Sequence, residues 1–95
     1  MIRESDIRYV VAVIQGGIWY TLANDEKIYW NFDNQKIFKA SGWAIKAANR
    51  VIRRYFYDKI YVFKVRFGDT LSSDSYKKWA GDDSRIVIKH EACNC

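Results

Sequence analysis

Residues 34–57 read NQKIFKASGWAIKAANRVIRRYFY, and the fold turns on how they wind. The segment carries Lys36, Lys39, Lys46, Arg50, Arg53 and Arg54 and no acidic residue. Asn34 or Ser41 is placed to cap a helix, and Gly42 weakens the first turns. A helix is therefore expected to be firm from about Ser41 and to end near Tyr57. At about 3.6 residues per turn, Lys39, Lys46, Arg50, Arg53 and Arg54 fall on one side, with Trp43 and Tyr57 among them. Ala44, Ala48, Val51, Ile52 and Tyr55 fall on the other. Such a helix has an apolar face for a core and a cationic face for something negative.

The flanking segments alternate as strands. Residues 7–15 are rich in β-branched side chains, Gly16-Gly17 makes a tight turn, and residues 18–23 return. Asn24-Asp25-Glu26 turns the chain into a third strand, 27–32. Tyr9, Val11, Val13, Ile18, Tyr20, Leu22, Ile28, Trp30 and Phe32 are assigned to one sheet face. After the helix, residues 59–67 alternate cleanly as a fourth strand. Residues 73–80 suit a short helix capped by Ser72 or Ser73 and stopped by Gly81. Residues 85–90 make a fifth strand. The expected fold is α+β: an antiparallel sheet of four to five strands with one long amphipathic helix on one face, in the order β-β-β-α-β-(α)-β. Residues 1–90 form one domain and 91–95 a flexible tail.

The second sheet face is assigned Val10, Ala12, Ile14, Trp19, Tyr29, Ile60 and Val62, which is too apolar for open water. Either the short helix and the tail cover it or a second copy does, as in a homodimer.

The chain has 95 residues with 16 Lys/Arg against 11 Asp/Glu. The imbalance is local: residues 34–67 hold nine basic residues and one acid, Asp58, while acids outnumber bases elsewhere. A purely solvated helix usually mixes its signs, so this concentration favours an anionic partner. Lys46 to Arg54 spans about 12 Å at about 1.5 Å per residue, enough to meet several phosphates. Arg adds two-pronged hydrogen bonds to phosphate. Trp43 and Tyr57 would stack or pack at the two ends, Asn49 would reach a base edge, and Lys64 and Arg66 extend the cationic set along the fourth strand. Alternation alone leaves open whether these last two join the helix patch or form a second one.

Other chemistry finds little footing. The single His, His90, has no visible triad partners, and no Gly-rich phosphate loop occurs. His90, Cys93 and Cys95 are three zinc-type ligands where a structural site needs four. No enzyme activity, metal or cofactor is expected. The longest apolar run, 9–14, is far short of the roughly 20 residues that span a bilayer. Arg3, Glu4 and Asp6 break any leader-like start, and two cysteines at the end close no useful loop. A cytoplasmic location without membrane association is expected.

The hairpin Gly16-Gly17-Ile18-Trp19-Tyr20 followed by FKASGWAIKAANRV resembles the β-β-β-α DNA-binding domains of phage-type integrases and their plant relatives. The likeness covers residues 7–57 and implies a DNA-binding module. In that family the sheet is expected to enter the major groove, whereas here the cations lie on the helix and two strands follow, so no binding residue is carried over. In overall type the chain is also similar to small phage-encoded inhibitors such as anti-CRISPR proteins, which would place it in a host cytoplasm. Two functions result. One is non-enzymatic binding of DNA or RNA through the basic helix. The other is inhibition of a nucleic-acid-binding protein complex through the same face.

Overall fold

The computed structural model describes residues 7–32 and 34–92. The fold is α+β, with five antiparallel strands in one sheet and two helices. The strands are β1 (Ile7–Gln15), β2 (Ile18–Leu22), β3 (Ile28–Tyr29), β4 (Lys59–Arg66) and β5 (Ile86–Glu91). The helices are α1 (Ser41–Arg54), between β3 and β4, and α2 (Ser73–Trp79), between β4 and β5. The sheet order is β3-β2-β1-β4-β5, which puts β1 at the centre.

Turn chemistry sets the first register. Gly16 and Gly17 both have positive φ, 60° and 78°, the signature of the type I′ turn whose twist suits a two-residue hairpin. Gln15 consequently pairs with Ile18 and Ala12 with Thr21. The turn is tied down from outside the hairpin: the Gly16 amide donates to the Asp58 carboxylate at 2.9 Å, and the Gln15 amide to the Phe56 carbonyl at 2.6 Å.

Alternation along β1 then feeds two cores. Val11 and Val13 face α1 together with Leu22, Ile60 and Val62. The alanines Ala44, Ala47 and Ala48 let the α1 backbone approach this layer closely, and Val51 fills beside them. Val10 and Ala12 face the other way, with Tyr61, Phe63, Val65, Tyr76 and Trp79. The molecule thus has three layers, α1 over the sheet over α2. The second core is aromatic. Phe32 meets Tyr76 edge-on at 4.9 Å between ring centres, and Tyr61 stacks on Phe63 at 5.1 Å.

Several sequence expectations are corrected here. Ile60 and Val62 belong under α1, because β4 pairs Ile60 with Val13 and Val62 with Val11. The second face is completed by Tyr61, Phe63 and Val65 and covered by α2, the first of the two alternatives. β3 is two residues and not six. Alternation lapses after Tyr29, leaving Trp30 70% exposed and turning Phe32 into the α2-side core. α1 has 14 residues and stops at Arg54, since Tyr55 is extended, with φ −123° and ψ 148°. Neither expected cap operates. Ser41 is the first helical residue, Ala40 occupies the cap position with no side-chain bond, and Asn34 pairs with Asn24 at 2.8 Å. α2 is capped by Ser72, whose hydroxyl accepts from the Ser75 amide at 3.2 Å. β5 extends to Glu91, and the Ala92 amide donates to the Asp58 carbonyl at 2.9 Å, so the expected tail is anchored at both residues. Cys93 and Cys95 lie outside the described residues.

Among the described residues, no helix is long and apolar enough to cross a membrane.

Candidate nucleic-acid interface

Burial of the Ala44–Val51 stripe decides which side of α1 meets solvent. Trp43, Lys46, Asn49, Arg50, Arg53 and Arg54 occupy the opposite arc and are all exposed. Lys39, two residues before the helix, is exposed as well. Over these residues the cationic face expected from the sequence is present as a surface.

The surface is only partly self-neutralised. Arg50 donates from Nη2 to Glu26 Oε1 at 3.3 Å, and Lys36 Nζ lies 3.6 Å from the same oxygen. Among the described residues, Lys39, Lys46, Arg53 and Arg54 form no ion pair. Lys46 instead places its ammonium 5.2 Å from the centre of the Trp43 ring, which is 65% exposed. This cation–π contact holds an indole and a charge side by side at the helix's first turns, without consuming the charge. α1 also has Arg53 and Arg54 in its last turn and no acid in its first, so the cations gather where the helix dipole is negative.

The C-terminal end of the band differs from the sequence reading. Tyr57 is not on the helix. It is half-buried against the α1-side core, and its hydroxyl lies 2.7 Å from His90 Nδ1. The aromatic offered to solvent is Phe56, 90% exposed. It borders an open cleft of about 390 Å³ together with Arg53, Arg54 and Tyr57. The helix break at Tyr55 turns Phe56 outward, and nothing in the run Tyr55-Phe56-Tyr57 marks which ring goes out unless the break is known.

Lys64 and Arg66 follow the alternation of Ile60 and Val62, so they sit on the α1 side of the sheet. Lys64 pairs with Tyr9, which in turn bridges Phe38 just before α1. They therefore lie toward the start of the helix, at the end of the sheet away from Phe56. Arg66 lines a separate cleft of about 280 Å³ with Phe67 and Asp69. The ten expected residues thus divide. Trp43, Lys46, Asn49, Arg50, Arg53 and Arg54 are brought together, Lys39 stands just before them, Lys64 and Arg66 are at the far end, and Tyr57, half-buried, lines the cleft beside Phe56, Arg53 and Arg54.

Two participants escape a sequence reading. Phe56 is one. The other is Glu26, with φ 66° in the β2–β3 turn. A Glu in a three-residue hairpin loop where Gly is usual was the available signal.

The arrangement offers charge, planar guanidinium donors and two exposed rings along one strip. Among the described residues no group of three or more His, Cys, Asp or Glu side chains could hold a metal ion. Compared with protein-family models, curated proteins and solved structures, the chain matches none of them.

Proposed function

We propose that this protein binds nucleic acid without catalysis, through phosphate contacts made by the solvent face of α1. The observation that carries the reading is that Lys46, Arg53 and Arg54 project from one side of a single helix with no ion-pair partner among the described residues. Lys39 adds a fourth cation at the helix start. Phe56 and Trp43 flank the strip and supply ring faces to bases or sugars. Asn49 is the one neutral polar side chain on the strip, so binding is read as largely independent of sequence. The weak likeness to integrase-type DNA-binding modules agrees with this reading, although the interface used is the helix and not the sheet. Such a protein acts in the cytoplasm, that of the host if it is phage-encoded.

About four phosphate contacts correspond to a log–log salt slope on the order of −3. Fluorescence anisotropy with labelled single- and double-stranded DNA and RNA, from low to high salt, measures it. The triple variant K46E/R53E/R54E is expected to lose at least about 100-fold in affinity at low salt with its circular dichroism unchanged. Absence of wild-type binding at low salt, or equal binding by the triple variant, would refute the proposal.

The exposure of Phe56 and Trp43 beside the cations also suits a second reading, in which the same strip docks on an acidic surface of a nucleic-acid-binding protein complex, as a small phage-type inhibitor does. Capture from host lysate after nuclease treatment separates the two. A partner complex retained after digestion supports inhibition, and loss of all retained material supports direct nucleic-acid binding.

A further inference from the structure

We propose that Lys36 and Arg50 form a phosphate subsite of the α1 strip, and that the Glu26 carboxylate fills it in the free protein until an incoming phosphodiester displaces it. The inference rests on the nucleic-acid reading above.

The geometry is that of an anion held between two cations. One oxygen, Glu26 Oε1, is shared by Lys36 Nζ at 3.6 Å and Arg50 Nη2 at 3.3 Å. A non-bridging oxygen of a phosphodiester would be shared in the same way. Arg54 lines the small cleft that Glu26 and Arg50 also border, and makes no ion pair among the described residues. The three paired side chains keep between 30% and 46% of their surface in solvent, so an external anion can reach the site and the carboxylate can leave it.

The backbone supports the same assignment. The loop 24–26 is closed by Glu26 N–H to the Ala23 carbonyl and by Ala23 N–H to the Lys27 carbonyl, each at 2.9 Å. Its last residue must adopt left-handed φ, and here that residue is Glu at 66°. A side chain with a Cβ is disfavoured in that conformation and glycine is not. Exposed ion pairs contribute little to folding. The carboxylate is therefore placed at a backbone cost that fold stability does not explain, whereas control of the anion site does. Because Glu26 lies on the β2–β3 turn and not on α1, it can withdraw without disturbing the helix.

The test uses the full chain and a labelled single-stranded oligonucleotide, with affinity followed against salt. Glu26→Gln keeps the size and removes the charge. Glu26→Gly removes the charge and also the backbone conflict, so at least one of the two folds. Both are expected to bind about three- to tenfold more tightly at low salt, because the phosphodiester no longer competes with the carboxylate, with the log–log slope little changed, since the subsite phosphate is bound in the wild type as well. In an Arg50→Ala/Lys36→Ala background, Glu26→Gln should give no gain. Wild-type binding with no tightening in either Glu26 variant overturns the subsite while leaving the nucleic-acid reading intact. A gain that persists without Lys36 and Arg50 also overturns it, since mere loss of a negative charge would then suffice. No binding by any form, even at low salt, removes the nucleic-acid reading and the subsite with it.

Discussion

The hydroxyl of Tyr76 lies 3.0 Å from the hydroxyl of Thr21, a buried contact between α2 and β2 across 55 residues of chain. Both side chains are nearly or wholly inaccessible, and each is the other's hydrogen-bond partner inside an otherwise apolar layer rich in aromatic rings. Burial pushes the Tyr76 phenol well above its ordinary range, with Thr21 acting slightly against this, so the phenol stays protonated throughout the useful pH range.

Tyr76→Phe is expected to lower stability by about 1–2 kcal/mol, because it strands the Thr21 hydroxyl in an apolar site. Thr21→Val in the Tyr76→Phe background should restore part of that loss, since removing both polar groups leaves neither unsatisfied. Urea denaturation of the four proteins of this cycle measures the coupling, and strict additivity would count against it.

Asp69 and Arg85 give a pH-dependent clasp. Burial alone would raise the Asp69 carboxyl, but the Arg85 hydrogen bond, the Arg66 amide and the two positive charges outweigh it and hold the group below its ordinary value. The contacts are 2.6 Å to Arg85 Nη1 and 2.7 Å to the Arg66 amide, and the two side chains are only 14% and 20% exposed. Since the folded value is the lower one, the stabilisation is present above the unfolded value, about 3.9, and fades as pH falls through the folded one. Asp69→Asn should cost roughly 1–3 kcal/mol at neutral pH and nearly nothing at the acid end. Unfolding curves between pH 2 and 7 should therefore converge at low pH, and parallel curves would rule the clasp out.

α1 begins without a side-chain cap, and Ala40 already has the extended backbone of a cap residue, φ −129° and ψ 142°. Ala40→Ser or Ala40→Asp should stabilise the fold by about 0.5–1 kcal/mol. The Asp form also adds a negative charge beside the strip, so the Ser form should keep full nucleic-acid affinity while the Asp form weakens it modestly. Thermal melts and anisotropy on the pair distinguish these contributions.

Phe56 is 90% exposed and contributes little to either core. Phe56→Ala should change stability by no more than about 0.5 kcal/mol. If the ring stacks on a base, single-strand affinity should fall by about 1–3 kcal/mol, roughly five- to 150-fold, with duplex affinity far less affected. Equal loss on both substrates would assign the ring to packing against the backbone.

Much of this fold was legible from alternation and turn chemistry. The split of Val10 and Ala12 from Val11 and Val13 follows from a period of two, and Gly16-Gly17 specifies its hairpin. The boundaries were less legible. Tyr55, Phe56 and Tyr57 continue a helical pattern, yet the chain leaves the helix at Tyr55. Tertiary ties explain this: the Asp58 amide bonds the Ile14 carbonyl at 2.7 Å, which pulls the segment toward the hairpin. β4 alternates so regularly that either assignment of its faces is self-consistent, and only pairing with β1 puts Ile60 and Val62 under α1. The cationic side of α1 was readable because it follows from helical geometry alone. The Glu26–Arg50 contact was not, since it joins a turn and a helix 24 residues apart.

The position of β1 has a consequence for how the chain is made. Its longest partner is β4, and residues 7–14 pair with residues 59–66, about fifty positions later. A ribosome must therefore deliver the whole of α1 before the central ladder can close. Until then one edge of β1 has no β4 to pair with, and Val10 and Ala12 have no α2 to cover them. The high contact order that results favours slow closure, and a nascent chain paused within α1 would be a natural client for a holding chaperone.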